Sequence, residues 1–305
     1  MKEFVDLVVD LDSKVNLPEV SLGSFAPWSY SKYFMLKRCP FSFYLQYVLK
    51  VKVPKELDIR EDPISAATGL ALHEIAERIV KGDTLEVAYA ATKTKYELSG
   101  LKGEIWEEKV GSNYVNLSKF EERINSFIRL NPIKRIYTEV KVGITKDYKP
   151  TEFFSKDVYY RGVLDLVILL ECLDAIVIDH KTGGEEGGLT PKKPQLDWYK
   201  VLVHYGIHKI IGVQTGIYFM NAGEILLEDY VGKQDIENTI KNKIEMSLEG
   251  VVEMLKELGY FKHIRGYYCK WCKFDQIGCK NKELKSVELN TKRWFPIKQE
   301  ILLKL

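Results

Sequence analysis

Arg161-Gly162-Val163-Leu164-Asp165-Leu166-Val167-Ile168-Leu169 and, after the break Glu171-Cys172-Leu173-Asp174, Ala175-Ile176-Val177-Ile178-Asp179-His180-Lys181-Thr182 decide how this chain is read. Both runs are strand-length and rich in β-branched and large apolar residues. The short polar break predicts a hairpin centred near Cys172, and that pairing sets Asp165 opposite Asp179. Residues facing each other across an antiparallel pair have Cβ atoms only ~5 Å apart, so two carboxylates there repel unless a cation lies between them. Strand side chains alternate, which brings Lys181 out on the side of Asp179. Two carboxylates and an ammonium in one place predict a divalent metal site. A water-facing hairpin is the plainer alternative, but each aspartate is embedded in apolar residues. Charges inside adjacent apolar strands rarely go unpaired.

In such a site Asp165 and Asp179 would hold Mg²⁺ or Mn²⁺ through oxygens. Lys181 would orient or deprotonate an attacking water, or stabilise charge on a phosphate. Three further positions are candidates of lesser specificity. His73, in Leu72-His73-Glu74-Ile75-Ala76-Glu77, lacks the second histidine of a zinc-protease helix; Glu77 shares its helix face. Gln195 and Tyr199 are four apart on a predicted helix and so lie on one side of it. Glu139 falls on the strand before the aspartate pair, where it either joins the site or faces solvent.

Outward from the hairpin the pattern predicts a single α/β unit with a mixed sheet flanked by helices. An N-terminal helical segment covers residues 1–62, with Ser29 as an N-cap and Pro40 opening a second helix. The core, residues 63–231, begins with helices over Ser65–Lys81 and Thr84–Leu98, closed by Gly82 and Gly100, and another over Ser118–Leu130. Strands follow at Arg135–Ile144, Tyr159–Leu169 and Ala175–Thr182, then a helix at Pro194–His204 and strands at Lys209–Met220 and Glu224–Val231. Residues 232–305 hold a long amphipathic helix, about Lys233–Leu258, a cysteine-rich knot and a charged tail. The glycines of the Thr182–Lys193 loop (Gly183, Gly184, Gly187, Gly188) match neither phosphate-loop pattern and read as a flexible loop beside the site.

With 305 residues, 46% of them hydrophobic, the chain can bury a full core. It has no apolar run of transmembrane length and no secretory pattern at its acidic start, so a soluble, cytoplasmic protein is expected; a viral or phage source is compatible with that. A net charge of +2 confines any nucleic-acid footprint to a local patch. Five cysteines in a chain of this length suggest metal binding more than a disulfide framework.

Together, Gly69…His73, Gly162-Val163-Leu164-Asp165, Asp179-His180-Lys181 and Gln195-Leu196-Asp197-Trp198-Tyr199 resemble, in order and spacing, the PD-(D/E)XK nuclease superfamily in its RecB-like branch. The resemblance covers roughly Ser29 to Cys279 and implies a restriction-endonuclease-like core. It implies that His73, Asp165, Asp179 and the backbone carbonyl of His180 bind the metal. It makes Lys181 catalytic, with Gln195 and Tyr199 positioning DNA or the lysine.

Cys269, Cys272 and Cys279 form a C-x₂-C-x₆-C cluster, and Cys39 is the evident fourth ligand; Cys172 belongs to the hairpin turn. Four thiolates suit zinc as well as iron–sulfur, so spacing leaves the two open. One distant N-terminal cysteine with a C-terminal trio resembles iron–sulfur nucleases of the AddB type and CRISPR-associated nucleases of spacer acquisition. That likeness implies a structural [4Fe-4S] cluster joining the chain ends. Lys192, Lys193, Lys200, His263, Arg265, Lys270 and Lys273 are candidate contacts to a phosphate backbone, and abundant aromatics could stack on bases. The expected function is a metal-dependent deoxyribonuclease, an exonuclease on single-stranded or end-processed DNA. A helicase or recombination partner would be a separate chain. The alternative is a non-catalytic DNA-end-binding or adaptor subunit of a recombination or CRISPR-adaptation complex.

Overall fold

The structure, a computed structural model, describes residues 5–8, 21–51, 53, 63–97, 101–183, 188–207, 209–258, 261–276, 279 and 283–287. Asp62, Leu98, Gly100, Gly184, Gly187 and most of the tail after Cys279 lie outside them. The chain divides into two compact units: residues 26–30 with 62–245, and residues 1–25, 31–61 and 246–305.

The elements, in chain order, are β1 (Val5–Val8), α1 (Tyr30–Arg38), α2 (Pro40–Phe43), α3 (Pro63–Val80), α4 (Leu85–Tyr96), α5 (Glu104–Lys109) and α6 (Tyr114–Leu130). Then come β2 (Ile133–Ile144), β3 (Pro150–Thr151), β4 (Tyr160–Leu170), β5 (Asp174–Lys181), α7 (Lys193–Gly206), β6 (Gly212–Phe219), β7 (Glu224–Leu227) and β8 (Val231–Gly232). A helix from Lys233 to Leu258 (α8, Lys233–Asp235, and α9, Lys241–Leu258) is interrupted by a π-turn at Ile236–Ile240. α10 (Lys273–Gln276) and β9 (Glu283–Val287) follow.

The larger unit is built on a seven-stranded mixed sheet in the order β3-β2-β4-β5-β6-β7, with β8 also on β6. β2, β4 and β5 run antiparallel, whereas β5 and β6 are parallel. A parallel pair needs a crossover, and the segment carrying α7 supplies it. Leu166 pairs with Ile178, Val167 with Val177 and Ile168 with Ile176. The ladder ends at Leu166–Ile178, one residue short of Asp165 and Asp179. The turn closes through Leu173, which takes a φ of 71° and donates its N–H to the Leu170 carbonyl at 3.0 Å. Cys172 is exposed at its tip.

The helices follow from their apolar spacing. In α3, Ala67, Ala71, Leu72, Ile75, Ala76 and Ile79 form a buried stripe at helical period, and α6 buries Leu117, Phe120 and Ile124. These join Leu166, Ile168, Ile178, Tyr218 and Met220 of the sheet in one core. Gly82, at φ 103°, ends α3 in the left-handed conformation, and the Thr84 hydroxyl accepts the Val87 N–H to cap α4. α7 packs on β2, β4, β5 and β6. Its seat depends on Gly162, where a Cβ would come within 2.6 Å of Leu202 Cδ1. The short α5 and β3 have no strong pattern in the sequence, and the predicted last strand is two pieces, β7 and β8.

The smaller unit contains an apolar cluster of Phe41, Leu45, Val51, Phe274 and Cys279, with Cys39 and Cys272 packed against it. Phe41 donates its N–H to the Lys262 carbonyl at 3.2 Å, and β1 pairs antiparallel with β9. Among the described residues, no helix is long and apolar enough to cross a membrane.

Candidate metal-dependent active site

The middle of β4, the end of β5, one turn of α3 and the start of α7 bring the predicted residues together. Asp165 Oδ2 accepts the backbone N–H of His180 at 2.6 Å and lies 3.8 Å from His73 Nδ1. α3 reaches that end of the sheet at Gly69, beside Thr182, and His73 follows one turn later. Asp179 is 3% exposed. Its Oδ1 accepts from Gln195 Nε2 and from the Tyr199 hydroxyl, both at 3.1 Å, while Gln195 Nε2 also donates to the Tyr199 oxygen at 2.7 Å. Its Oδ2 lies 2.7 Å from Lys181 Nζ, whose side chain is 32% exposed.

The electrostatics follow from burial. Burial, with repulsion from Asp165, holds the Asp179 carboxyl above the usual carboxylate range, against the pull of Lys181. Tyr199 is likewise raised by burial and by Asp179, so it stays a neutral donor. His180 is driven down to about 3 by burial, with His73 as the next cause, and so carries a neutral ring.

That ring is the main departure from the sequence reading, which used only the His180 backbone carbonyl. Ligand atoms of His73, Asp165 and His180 lie within 4.8 Å of one another, a group that does not include Asp179. The His180 imidazole packs against Phe120 and Tyr218 at 5.8 Å each and against His73 at 5.5 Å. Its Nε2 is buried without a hydrogen-bond partner. A buried polar atom left unpaired is costly. Two imidazole nitrogens and a carboxylate suit a divalent transition ion. The donor set therefore fits a metal. Strand alternation would have turned His180 away from the aspartates, and no local signal marks it as a ligand.

Glu139 stands beside this group. In the β2–β4 register, Thr138 pairs with Leu166 and Val140 with Leu164, which sets Glu139 across from Asp165. Its φ is 48°, a conformation non-glycine residues seldom adopt. Partial burial, with Asp165 and Glu77 adding repulsion, pushes its carboxyl up to about 7. Glu77 accepts from the Thr138 hydroxyl at 3.1 Å and pairs with Lys81 at 2.5 Å.

One expectation is corrected by burial. Lys200 cannot touch a phosphate backbone, because it is 0% exposed and lies 3.2 Å from Asp197 and 2.5 Å from Glu228. Lys193, half-exposed, also pairs with Asp197 and Glu228. Burial pushes Glu228 up, yet Lys200, Thr215 and Lys193 hold it below its ordinary value. This network anchors the face of α7 that does not carry Gln195 and Tyr199.

In the smaller unit all four predicted cluster cysteines are free. Burial, with Cys272 as the next contributor, pushes the Cys279 thiol up to about 12. Cys272 is also raised by burial. Among the described residues no three cysteine sulfurs lie within 4.8 Å of one another. Cys172 donates to Asp174 at 3.4 Å within the hairpin turn.

The model of the PD-(D/E)XK nuclease superfamily matches residues 27–279. The chain belongs to that superfamily. No curated protein matches the sequence significantly. A solved structure, "Crystal structure of SSO0001", is similar at 16% identity over 80% of this chain and 83% of its own, with a TM-score of 0.33. A likeness that low carries no argument.

Proposed function

We propose that this chain is a Mg²⁺- or Mn²⁺-dependent deoxyribonuclease that degrades DNA from single-stranded or processed ends. The observation that carries the reading is the Asp179–Lys181 ion pair at 2.7 Å beside Asp165, in a member of a nuclease superfamily. His73, Asp165 and Asp179, with His180, would hold the ion, which when bound supplies Lewis-acid stabilisation of phosphate charge and a more acidic water. Lys181 orients that water or neutralises the developing phosphorane charge. Gln195 and Tyr199 fix the Asp179 rotamer, so its second oxygen keeps one direction. Exclusion of water around Asp179 strengthens each of these interactions. The test is digestion of end-labelled single-stranded DNA with Mn²⁺ against EDTA. Wild-type protein should digest with metal alone, and Asp165→Ala and Asp179→Ala should not; full activity in either variant sinks the assignment.

A structural [4Fe-4S] cluster on Cys39, Cys269, Cys272 and Cys279 is part of the same reading. Its support is the shared apolar cluster of Cys39, Cys272 and Cys279. Anaerobically purified protein should be brown with a broad absorption band; colourless protein with stoichiometric zinc would overturn the cluster.

A further inference from the structure

The open side of the β2–β4 pair carries, beside Asp165, residues that the metal site does not use. Along β4, Arg161, Val163 and Asp165 alternate with the buried Tyr160 and Leu164, and Val163 is 38% exposed. Along β2, Glu139 and Lys141 are exposed, and Lys141 pairs directly with Val163. The loop after β3 adds Phe153 and Phe154, rings 4.9 Å apart and nearly perpendicular. Phe154 is 76% exposed. The Arg161 guanidinium sits 4.8 Å from the Phe153 ring and donates to the Phe153 carbonyl at 3.4 Å. The Lys141 ammonium lies 5.5 Å from the Phe154 ring. Arg161 is four strand positions from Asp165, about 13 Å at ~3.3 Å per residue.

An apolar ring this open contributes nothing to the core, and two cations over a ring pair hold it in place at the surface. Rings that present a face beside cations suit a single-stranded nucleic acid. Its unpaired bases have free faces to stack on, and its phosphates take the ammonium and guanidinium. A duplex offers no such free face away from its ends. Glu152 and Asp157 belong to the same loop, so stacking, more than net charge, must carry the affinity.

We propose that Phe154, with Phe153, Lys141 and Arg161, is the platform on which the single-stranded part of a DNA substrate lies as its end reaches Asp165. The direction of that strand rests on the nuclease reading; the platform itself does not.

Binding of labelled oligothymidylate to the full chain in EDTA, followed by fluorescence anisotropy, tests it. Phe154→Ala should weaken binding about tenfold, the loss of one stacked base, and leave binding of a blunt duplex unchanged. Phe154→Trp should keep wild-type affinity and add an emission that the oligonucleotide quenches. Wild-type affinity in Phe154→Ala, an equal loss for duplex, or an unquenched Phe154→Trp would overturn the platform. Expected binding in a protein that shows no metal-dependent digestion would keep the platform and refute the nuclease reading.

Discussion

Lys181 Nζ stands 2.7 Å from Asp179 Oδ2, while the other oxygen of the same carboxylate is held by Gln195 and Tyr199 at 3.1 Å. A carboxylate fixed from both sides and 3% exposed has one orientation available to it. The lysine, a third exposed, is the partner free to move toward a substrate.

Lys181→Met should therefore lower DNA hydrolysis by roughly 10²–10³-fold, the cost of removing one positioned electrostatic group. The melting temperature should fall as well, since the buried Asp179 Oδ2 loses its cation while only Oδ1 keeps hydrogen bonds. Single-turnover assays beside thermal melts check both. Activity within a few-fold of wild type would remove Lys181 from the chemistry.

If the His180 imidazole donates to the ion, the site has two nitrogen ligands and prefers Mn²⁺ over Mg²⁺, which favours oxygen. Isothermal titration should show Mn²⁺ bound more tightly than Mg²⁺. His180→Gln should weaken Mn²⁺ tenfold or more, since even outer-shell changes at metal sites cost 10–100-fold. Unchanged Mn²⁺ affinity in a folded variant would return the role to the backbone carbonyl.

Lys200, with no exposed surface, neutralises Asp197 and Glu228. Lys200→Met leaves buried carboxylates short of a cation and should cost about 3–5 kcal/mol in urea unfolding. Adding Glu228→Leu should recover much of that loss, because the pair is then replaced by apolar groups. A single variant as stable as wild type would show the network to be incidental.

The raised carboxyl of Glu139 gives a pH test. Its folded value, about 7, exceeds its ordinary 4.5, so the folded state holds the proton more tightly. Its contribution to stability is complete below about 4.5 and is lost as pH rises toward 7. In EDTA, melting temperature should fall across that window, and less steeply in Glu139→Gln. Identical slopes for the two proteins would refute the shift.

Much of this was legible in the chain. A four-residue polar break between two apolar runs leaves one natural hairpin, and the observed Leu166–Ile178 register is the one a hairpin centred near Cys172 requires. Helices α3 and α6 follow from stripes of period 3.6, and the Gln195–Tyr199 spacing put both side chains on one helical face, toward Asp179. Lys200 was misread as a surface cation, because residue type alone does not tell a solvated lysine from one paired with acids distant in sequence.

What the sequence determined by itself is local: period, turn chemistry and hairpin register act over a few residues, and they fix which acids and which lysine share a strand pair. What only the tertiary structure decided is the docking of separate elements. The approach of α3 that sets His73 against Asp165 and the His180 ring, and the burial of Lys200 against Asp197 and Glu228, depend on contacts between segments far apart in the chain. Such contacts are set by how the elements pack, and that leaves no spacing in the sequence to read.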